Sequence, residues 1–127
     1  MVLKSNLLPK GNIEKSGNKK VTNNDCTVGS VEATLSVIGG KWKPIILYHL
    51  APNTRRFGEI AARIPRISRK VLTEQLKELE KDKLVERKYY KEIPPRVEYS
   101  LTKLGKSLIP VFKEMAKWGD EHILSEH

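Results

Sequence analysis

The chain has 127 residues, one cysteine and a formal net charge of +9, and this length suits a single domain with a modest core. One cysteine excludes an intrachain disulfide and suits a reducing cytoplasm, while no apolar run approaches the ~20 residues of a membrane-spanning helix. Because the first residues also lack the features of a signal peptide, we expect a cytoplasmic protein that makes no membrane contact.

The positive charge is concentrated in the middle of the chain. Residues 41–96 hold fifteen Lys and Arg and seven acidic residues, whereas residues 103–127 hold four of each kind. A local excess of this size predicts contact with a polyanion. Diffuse charge that serves only solubility is the alternative.

The first 25 residues differ in composition from the rest. They are rich in Lys, Asn, Gly and Ser, and too few apolar residues recur there to bury a helix face. We therefore expect a flexible basic tail over residues 1–25, which can also order against a partner subunit or DNA. The folded domain should cover residues 26–127.

The first predicted helix spans about residues 28–38. Val31, Leu35 and Ile38 recur there at helical spacing, and Gly39-Gly40 ends the run. A second helix follows with Pro44 in its first turn. Its predicted inward-facing residues are Trp42, Ile45, Ile46 and Leu50.

A helix-turn-helix is predicted after the break at Pro52-Asn53. Residues 54–56 should form a short strand, and a short helix then runs from Phe57 to the stop at Pro65. A second helix opens at Ser68, a good N-cap residue. Leu72, Leu76 and Leu79 form its apolar side; Lys70, Thr73, Lys77 and Lys81 form the opposite side.

The spacing of apolar residues changes to two after Lys83. Alternating residues predict one strand near residues 85–90 and another near residues 97–101, joined by a turn at Pro94-Pro95. A helix-turn-helix followed by a β-hairpin is a winged helix. The predicted fold class is therefore α+β, mainly α: a winged helix-turn-helix domain flanked by an N-terminal and a C-terminal helix.

The last predicted helix covers about residues 102–124. Thr102 can cap it, and Pro110 should kink it. Its apolar stripe is too extended for one small domain to cover, so packing against a twin subunit is favoured over packing within the domain. The predicted dimer-interface residues are Val31, Leu35, Leu108, Phe112, Met115 and Trp118.

These elements predict the residues that contact a DNA duplex. The major-groove set on the second helix of the helix-turn-helix is Ser68, Arg69, Lys70, Thr73 and Lys77. Thr73 can hydrogen-bond or place its methyl against a thymine methyl, and Arg69 or Lys70 can reach guanine. Glu74 faces the same groove and repels the backbone unless it accepts from cytosine. An ordinary solvated helix face is the alternative.

The predicted wing contacts with phosphate or the minor groove are Lys88, Lys91 and Arg96. A lysine-decorated sheet edge that blocks aggregation is the alternative. Lys41 and Lys43 begin the second helix, where the helix N-terminus can hold one phosphate, although Lys43 can equally be a surface lysine. Two such domains in a homodimer would match a palindromic operator, because their recognition helices lie about one helical turn apart.

Several strings in this chain resemble those of the HxlR-type transcriptional regulators, a winged-helix family related to the MarR group. The most specific are Gly-Gly-Lys-Trp at residues 39–42 and Pro-Pro-Arg-Val-Glu-Tyr at residues 94–99. The resemblance covers about residues 26–122. It implies a homodimeric bacterial or archaeal transcription factor whose N- and C-terminal helices form the dimer interface.

Cys26 lies just ahead of the first helix, where amide donors and the helix dipole favour a thiolate. Redox- and electrophile-responding members of the resembled family carry a cysteine here, usually followed by proline. In this chain Thr27 follows, and the neighbouring Asp25 opposes thiolate formation. Two interpretations stay open: a sensor that forms a disulfide or an adduct with a quinone or aldehyde, or a small buried hydrophobe at the dimer interface.

Catalysis, metal binding and a bound cofactor are not expected. The three histidines, His49, His122 and His127, are scattered and give neither a placed base nor metal-ligand spacing. A cavity lined by Trp42, Phe112 and Trp118 is a candidate effector site, with plain core as the alternative. The rival function is a protein–protein or RNA interaction module without operator specificity.

Overall fold

The computed structural model describes residues 27–125, and the chain divides into two compact units at Gly40. The described part of the first unit is helix α1, Val28–Ile38. The amide of Ser30 donates a 3.0 Å hydrogen bond to the Thr27 hydroxyl, which caps the helix. Gly40 follows with a φ of 88°, a conformation that only glycine adopts without strain. The helix predicted for residues 28–38 is confirmed.

The second unit begins at Lys41 and is mainly helical, with a small antiparallel sheet. Its elements in chain order are α2 Lys43–Leu50, β1 Arg55–Arg56, α3 Phe57–Arg63, α4 Arg69–Lys81, β2 Val85–Tyr90, β3 Arg96–Leu101, α5 Lys103–Lys106 and α6 Ile109–Gly119, followed by a π-helical segment, Asp120–Leu124. This order confirms the predicted winged helix-turn-helix. No helix in residues 27–125 is long and apolar enough to cross a bilayer.

The three strands pair in the order β1-β3-β2. β2 and β3 form the hairpin of the wing, with Val85 opposite Leu101 at its base and Tyr90 opposite Arg96 at its tip. β1 pairs with the other edge of β3, placing Arg55 opposite Tyr99. The short strand predicted near residues 54–56 is therefore confirmed, and it pairs with the wing.

The core of the second unit forms where α2, α3 and α4 pack behind the sheet. Its fully buried side chains are Ile46, Leu47, Ile60, Leu72, Leu76, Leu79 and Leu84. Burial of each contributes about 1.5–3 kcal/mol. The face predicted for α2 was partly wrong, because Leu47 is buried whereas Trp42 and Ile45 stay half-exposed.

The helix expected over residues 102–124 is interrupted at Ser107 and Leu108, where the chain leaves α5 and restarts as α6. Pro110 lies in the first turn of α6 instead of kinking a continuous helix. Proline is tolerated there because the amide it lacks would have no intrahelical partner. The predicted cap is confirmed, since the amide of Gly105 donates to the Thr102 hydroxyl.

Candidate nucleic-acid interface

Helix α4 presents the basic surface that the sequence predicted, and buried leucines fix its orientation. Leu72, Leu76 and Leu79 are buried on one side. The predicted major-groove residues are all exposed: Ser68, Arg69, Lys70, Thr73 and Lys77. The amide of Val71 donates a 3.0 Å hydrogen bond to the Ser68 hydroxyl, so the start of the helix is capped.

Two residues of this surface already have partners within the protein. The guanidinium of Arg69 lies 5.4 Å from the centre of the Phe57 ring, which is a cation–π contact between α4 and α3. The Thr73 hydroxyl donates a 2.8 Å hydrogen bond to the Arg69 carbonyl oxygen. No ion pair in the described part of the chain includes Lys70 or Lys77. These two lysines and the exposed Lys81, which is likewise in no ion pair of the described residues, are the available cations of the helix face.

Arg96 occupies the base of the wing turn and is held there from three sides. Its guanidinium lies 4.0 Å from the centre of the Tyr90 ring. One nitrogen is 3.2 Å from a Glu92 carboxylate oxygen, and Nε is 3.2 Å from Glu98 Oε2, at an angle that gives an ion pair but no hydrogen bond. The side chain is 26% exposed. A phosphate would have to displace these carboxylates. The contacts of Arg96 therefore stabilise the fold of the wing turn.

The remaining predicted wing lysines are exposed. Lys88 lies on β2 with its ammonium 5.6 Å from the centre of the Tyr90 ring, and Lys91 lies in the turn. Within residues 27–125, neither forms an ion pair. Ile93 is 100% exposed at the tip of the same turn. The outer surface of the wing therefore combines free cations with an apolar tip.

Lys43, predicted as a phosphate contact, has a partner that the sequence did not reveal. Its ammonium lies 2.6 Å from a Glu78 carboxylate oxygen, and its side chain is only 12% exposed. The pair joins the first residue of α2 to α4. A phosphate at this helix start would compete with that carboxylate. The sequence alone did not predict Glu78 as the partner of Lys43, because the two residues are distant along the chain.

An apolar cleft of about 200 Å³ opens between α2 and α6. It is lined by Pro44, Ile45, Tyr48, His49, Phe112, Met115 and Ala116. Of the three residues expected to line an effector cavity, Phe112 lines this cleft, whereas Trp42 and Trp118 do not. Burial, and then the positive charges of Arg55 and Arg63, lower the pKa of His49, so this imidazole is neutral at physiological pH.

The model of the HxlR-like helix-turn-helix family matches residues 37–127. The chain belongs to this family. Over 92 residues it is 50% identical to YdeP, an uncharacterized HTH-type transcriptional regulator of Bacillus subtilis (strain 168), with 72% of each chain covered. The chain is thus a helix-turn-helix transcriptional regulator, and the relatives it resembles are regulators, not enzymes.

Two solved structures similar to this HxlR-like chain are redox-related. The redox regulator HypR in its oxidized form is 48% identical, with a TM-score of 0.70, and the match covers 72% of this chain and 95% of HypR. The quinone-bound form of YodB from B. subtilis is 39% identical, with a TM-score of 0.63 and coverage of 73% and 98%. Cys26, the predicted sensor, lies outside the described residues.

Much of the apolar surface predicted for dimerisation is exposed in this HxlR-like chain. On α1, Val31 and Leu35 are exposed. On α6, Met115 is exposed, and Trp118 is 59% exposed with its ring centre 5.0 Å from that of His122. Leu108 is partly buried. Phe112 was wrongly assigned to this surface, because it is buried and packs edge-on against Tyr48 at 6.2 Å.

Among residues 27–125, no three His, Cys, Asp or Glu side chains lie close enough together to hold an ion.

Proposed function

We propose that this regulator binds a palindromic operator as a homodimer, with α4 in the major groove and the wing against the neighbouring phosphates and minor groove. The observation that carries the proposal is the exposed basic face of α4, with Lys70, Thr73 and Lys77 opposite three buried leucines. A helix anchored in this way can press its polar side into a groove without losing its packing. Lys70 and Lys77 supply phosphate or guanine contacts.

The charges around α4 support contact with a polyanion. Glu78 lies one position after Lys77, but its carboxylate is neutralised by Lys43 at 2.6 Å. Glu74 is exposed and, in the part of the chain that the structure describes, has no ion-pair partner. It either accepts from a cytosine amino group or opposes the backbone. The net field of the helix face stays positive, as steering toward DNA requires.

Homodimer formation is supported by apolar side chains that each unit leaves in water. Val31 and Leu35 form a stripe on α1, and Met115 and Trp118 lie on α6. Each square ångström of such surface that a second copy covers stabilises the assembly by about 25 cal/mol. A two-fold dimer would present two copies of α4 to two half-sites about one helical turn apart.

Selection of duplexes from a random pool, followed by affinity measurements at several salt concentrations, tests this function. We expect enrichment of palindromes and a log–log salt slope near −0.9 for each phosphate neutralised, and so a steep slope for six to ten contacts. The double variant Lys70→Glu/Thr73→Glu should lose specific binding, whereas Lys106→Glu on α5 should retain most of it. A shallow slope or no preference for palindromes would favour the interaction-module alternative. Sedimentation equilibrium tests the dimer.

A second candidate function, redox or electrophile sensing through Cys26, is favoured by the oxidized HypR and quinone-bound YodB structures. We infer that oxidation or adduct formation near α1 changes the spacing of the two recognition helices. Treatment with diamide or a quinone should then lower operator affinity, and Cys26→Ser should abolish the response. Unchanged affinity and no slower-migrating dimer on a non-reducing gel would identify Cys26 as an inert residue.

A further inference from the structure

We propose that Thr73 is a specificity-determining residue that recognises the C5-methyl group of a thymine in each half-site, through its own methyl group and not through its hydroxyl. This inference rests on the proposed operator binding and names the chemical group that the centre of α4 reads. A thymine methyl is exposed in the major groove, where apolar contacts distinguish thymine from the other three bases.

A hydrogen bond within α4 occupies the hydroxyl proton of Thr73. A hydroxyl has one proton to donate, and in Thr73 that proton goes to the Arg69 carbonyl oxygen, 2.8 Å away. Base acceptors such as thymine O4, guanine O6 and guanine N7 need a donor. Thr73 cannot serve them without giving up its bond to the helix backbone.

Oγ1 and the methyl group of Thr73 diverge from Cβ. Because the hydroxyl proton is committed to the carbonyl of residue 69, Oγ1 can only accept from a base amino group, and the methyl is the branch left for an apolar partner. Thr73 is exposed, so its side chain can be reached from outside the protein. Its methyl group is therefore available to a base edge.

Thr73 lies between two cations on α4. Lys70 precedes it by three residues and Lys77 follows it by four, so all three lie on one face of the helix. Both lysines are exposed and much longer than threonine. When they extend sideways to phosphates or guanines, the short uncharged residue between them is the one that approaches the floor of the groove.

A matched pair of substitutions separates the two branches of the side chain. Thr73→Val keeps the shape and the methyl group but removes the hydroxyl, whereas Thr73→Ser keeps the hydroxyl and removes the methyl group. Because Thr73 is exposed, both variants should melt close to the wild type, and a melting curve checks this. Thr73→Ala, which lacks both groups, provides a further comparison if either variant is unstable.

The probe is the operator duplex selected by the wild-type protein, with each thymine replaced in turn by uracil. Uracil differs only in lacking the C5-methyl group. We expect one position in each half-site where uracil weakens wild-type binding about fourfold, the value of one buried methyl group. Thr73→Val should show the same loss, whereas Thr73→Ser should bind the thymine and uracil duplexes equally. At that position, 5-methylcytosine should bind better than cytosine to the wild type and to Thr73→Val only.

The outcomes are distinct. The methyl contact is overturned if replacing thymine by uracil weakens wild-type binding at no position. It is also overturned if the replacement still weakens binding by Thr73→Ser but not by Thr73→Val. Operator binding stands in both cases. A loss of selectivity at an adenine or cytosine in Thr73→Val would show that Oγ1 accepts from an amino group, which also overturns it. If the wild-type protein selects no duplex, the proposed function fails together with this inference.

Discussion

The hydroxyl of Thr102 donates a 2.6 Å hydrogen bond to the carbonyl oxygen of Lys83, which ties the start of α5 to the second residue after α4. The amide of Thr102 donates to the neighbouring Leu84 carbonyl at 3.1 Å. The same hydroxyl accepts from the amide of Gly105. The end of α4 is thus joined to the start of α5 through Thr102, and the packing of this junction should be sensitive to small changes.

Gly105→Ala should destabilise this junction. A Cβ at this position would overlap the Leu84 carbonyl oxygen, and backbone can make room only by moving. We expect a loss of about 1–3 kcal/mol in the free energy of unfolding, measured by urea denaturation. Gly58→Ala in α3 is the matched control, because its Cβ would meet nothing within 4 Å. Equal stability of the two variants would contradict the close approach.

Lys83→Gly should stabilise the protein. Lys83 has a φ of 63°, in the left-handed region. Its amide donates to the Glu80 carbonyl and the next amide donates to the Leu79 carbonyl, the two bonds of a Schellman cap. Removing the Cβ relieves about 1–2 kcal/mol of strain, and the greater freedom of glycine when unfolded offsets part of that gain. A raised denaturation midpoint is expected; Asp82→Gly, with a φ of −84°, should lower it.

The position and orientation of α4 could be predicted from the sequence because the causes are local. Ser68 caps the helix, and Leu72, Leu76 and Leu79 repeat at helical spacing. The left-handed Lys83 could not be predicted, because lysine carries no local signal for a cap that glycine normally provides.

Some side-chain partners at the interface were also beyond the sequence. Arg96 looked like a free cation, although strand alternation already places Glu98 on its face of β3. Glu92 reaches it through the fold of the turn, which the sequence did not give. Lys43 meets Glu78 only once α2 and α4 are packed together. Exposed positions of a basic helix can be predicted from periodicity, whereas the charges left free to bind DNA depend on tertiary contacts.

Arg96 and Lys91 should behave differently when neutralised. Arg96→Gln removes the contact with the Tyr90 ring and two ion pairs, so we expect a loss of about 1 kcal/mol in stability and an unchanged salt slope of DNA binding. Lys91→Gln should leave stability unchanged and reduce the slope by about 0.9. A reduced salt slope of DNA binding in Arg96→Gln would show that Arg96 contacts phosphate.

His49 should make the protein less stable in mild acid. Burial and the charges of Arg55 and Arg63 lower its pKa from 6.5 in the folded protein, so the unfolded chain binds the proton more tightly. Its contribution to stability is fully present above pH 6.5 and is lost as the pH falls toward the lower folded pKa. His49→Gln should flatten the stability curve in this window.

The ion pair between Lys43 and Glu78 should support the fold more than it supports DNA binding. Lys43 is 12% exposed, so Glu78→Gln leaves a poorly solvated ammonium with a weakened partner and should cost about 1–3 kcal/mol. Lys43→Met should cost less, because a methionine can pack where the lysine stem lies. In a double-mutant cycle, the two changes together should cost less than their sum. If Lys43 instead holds a phosphate, Lys43→Met will reduce the salt slope of operator binding by about 0.9; we expect the slope to stay unchanged, because the Glu78 carboxylate already neutralises this ammonium.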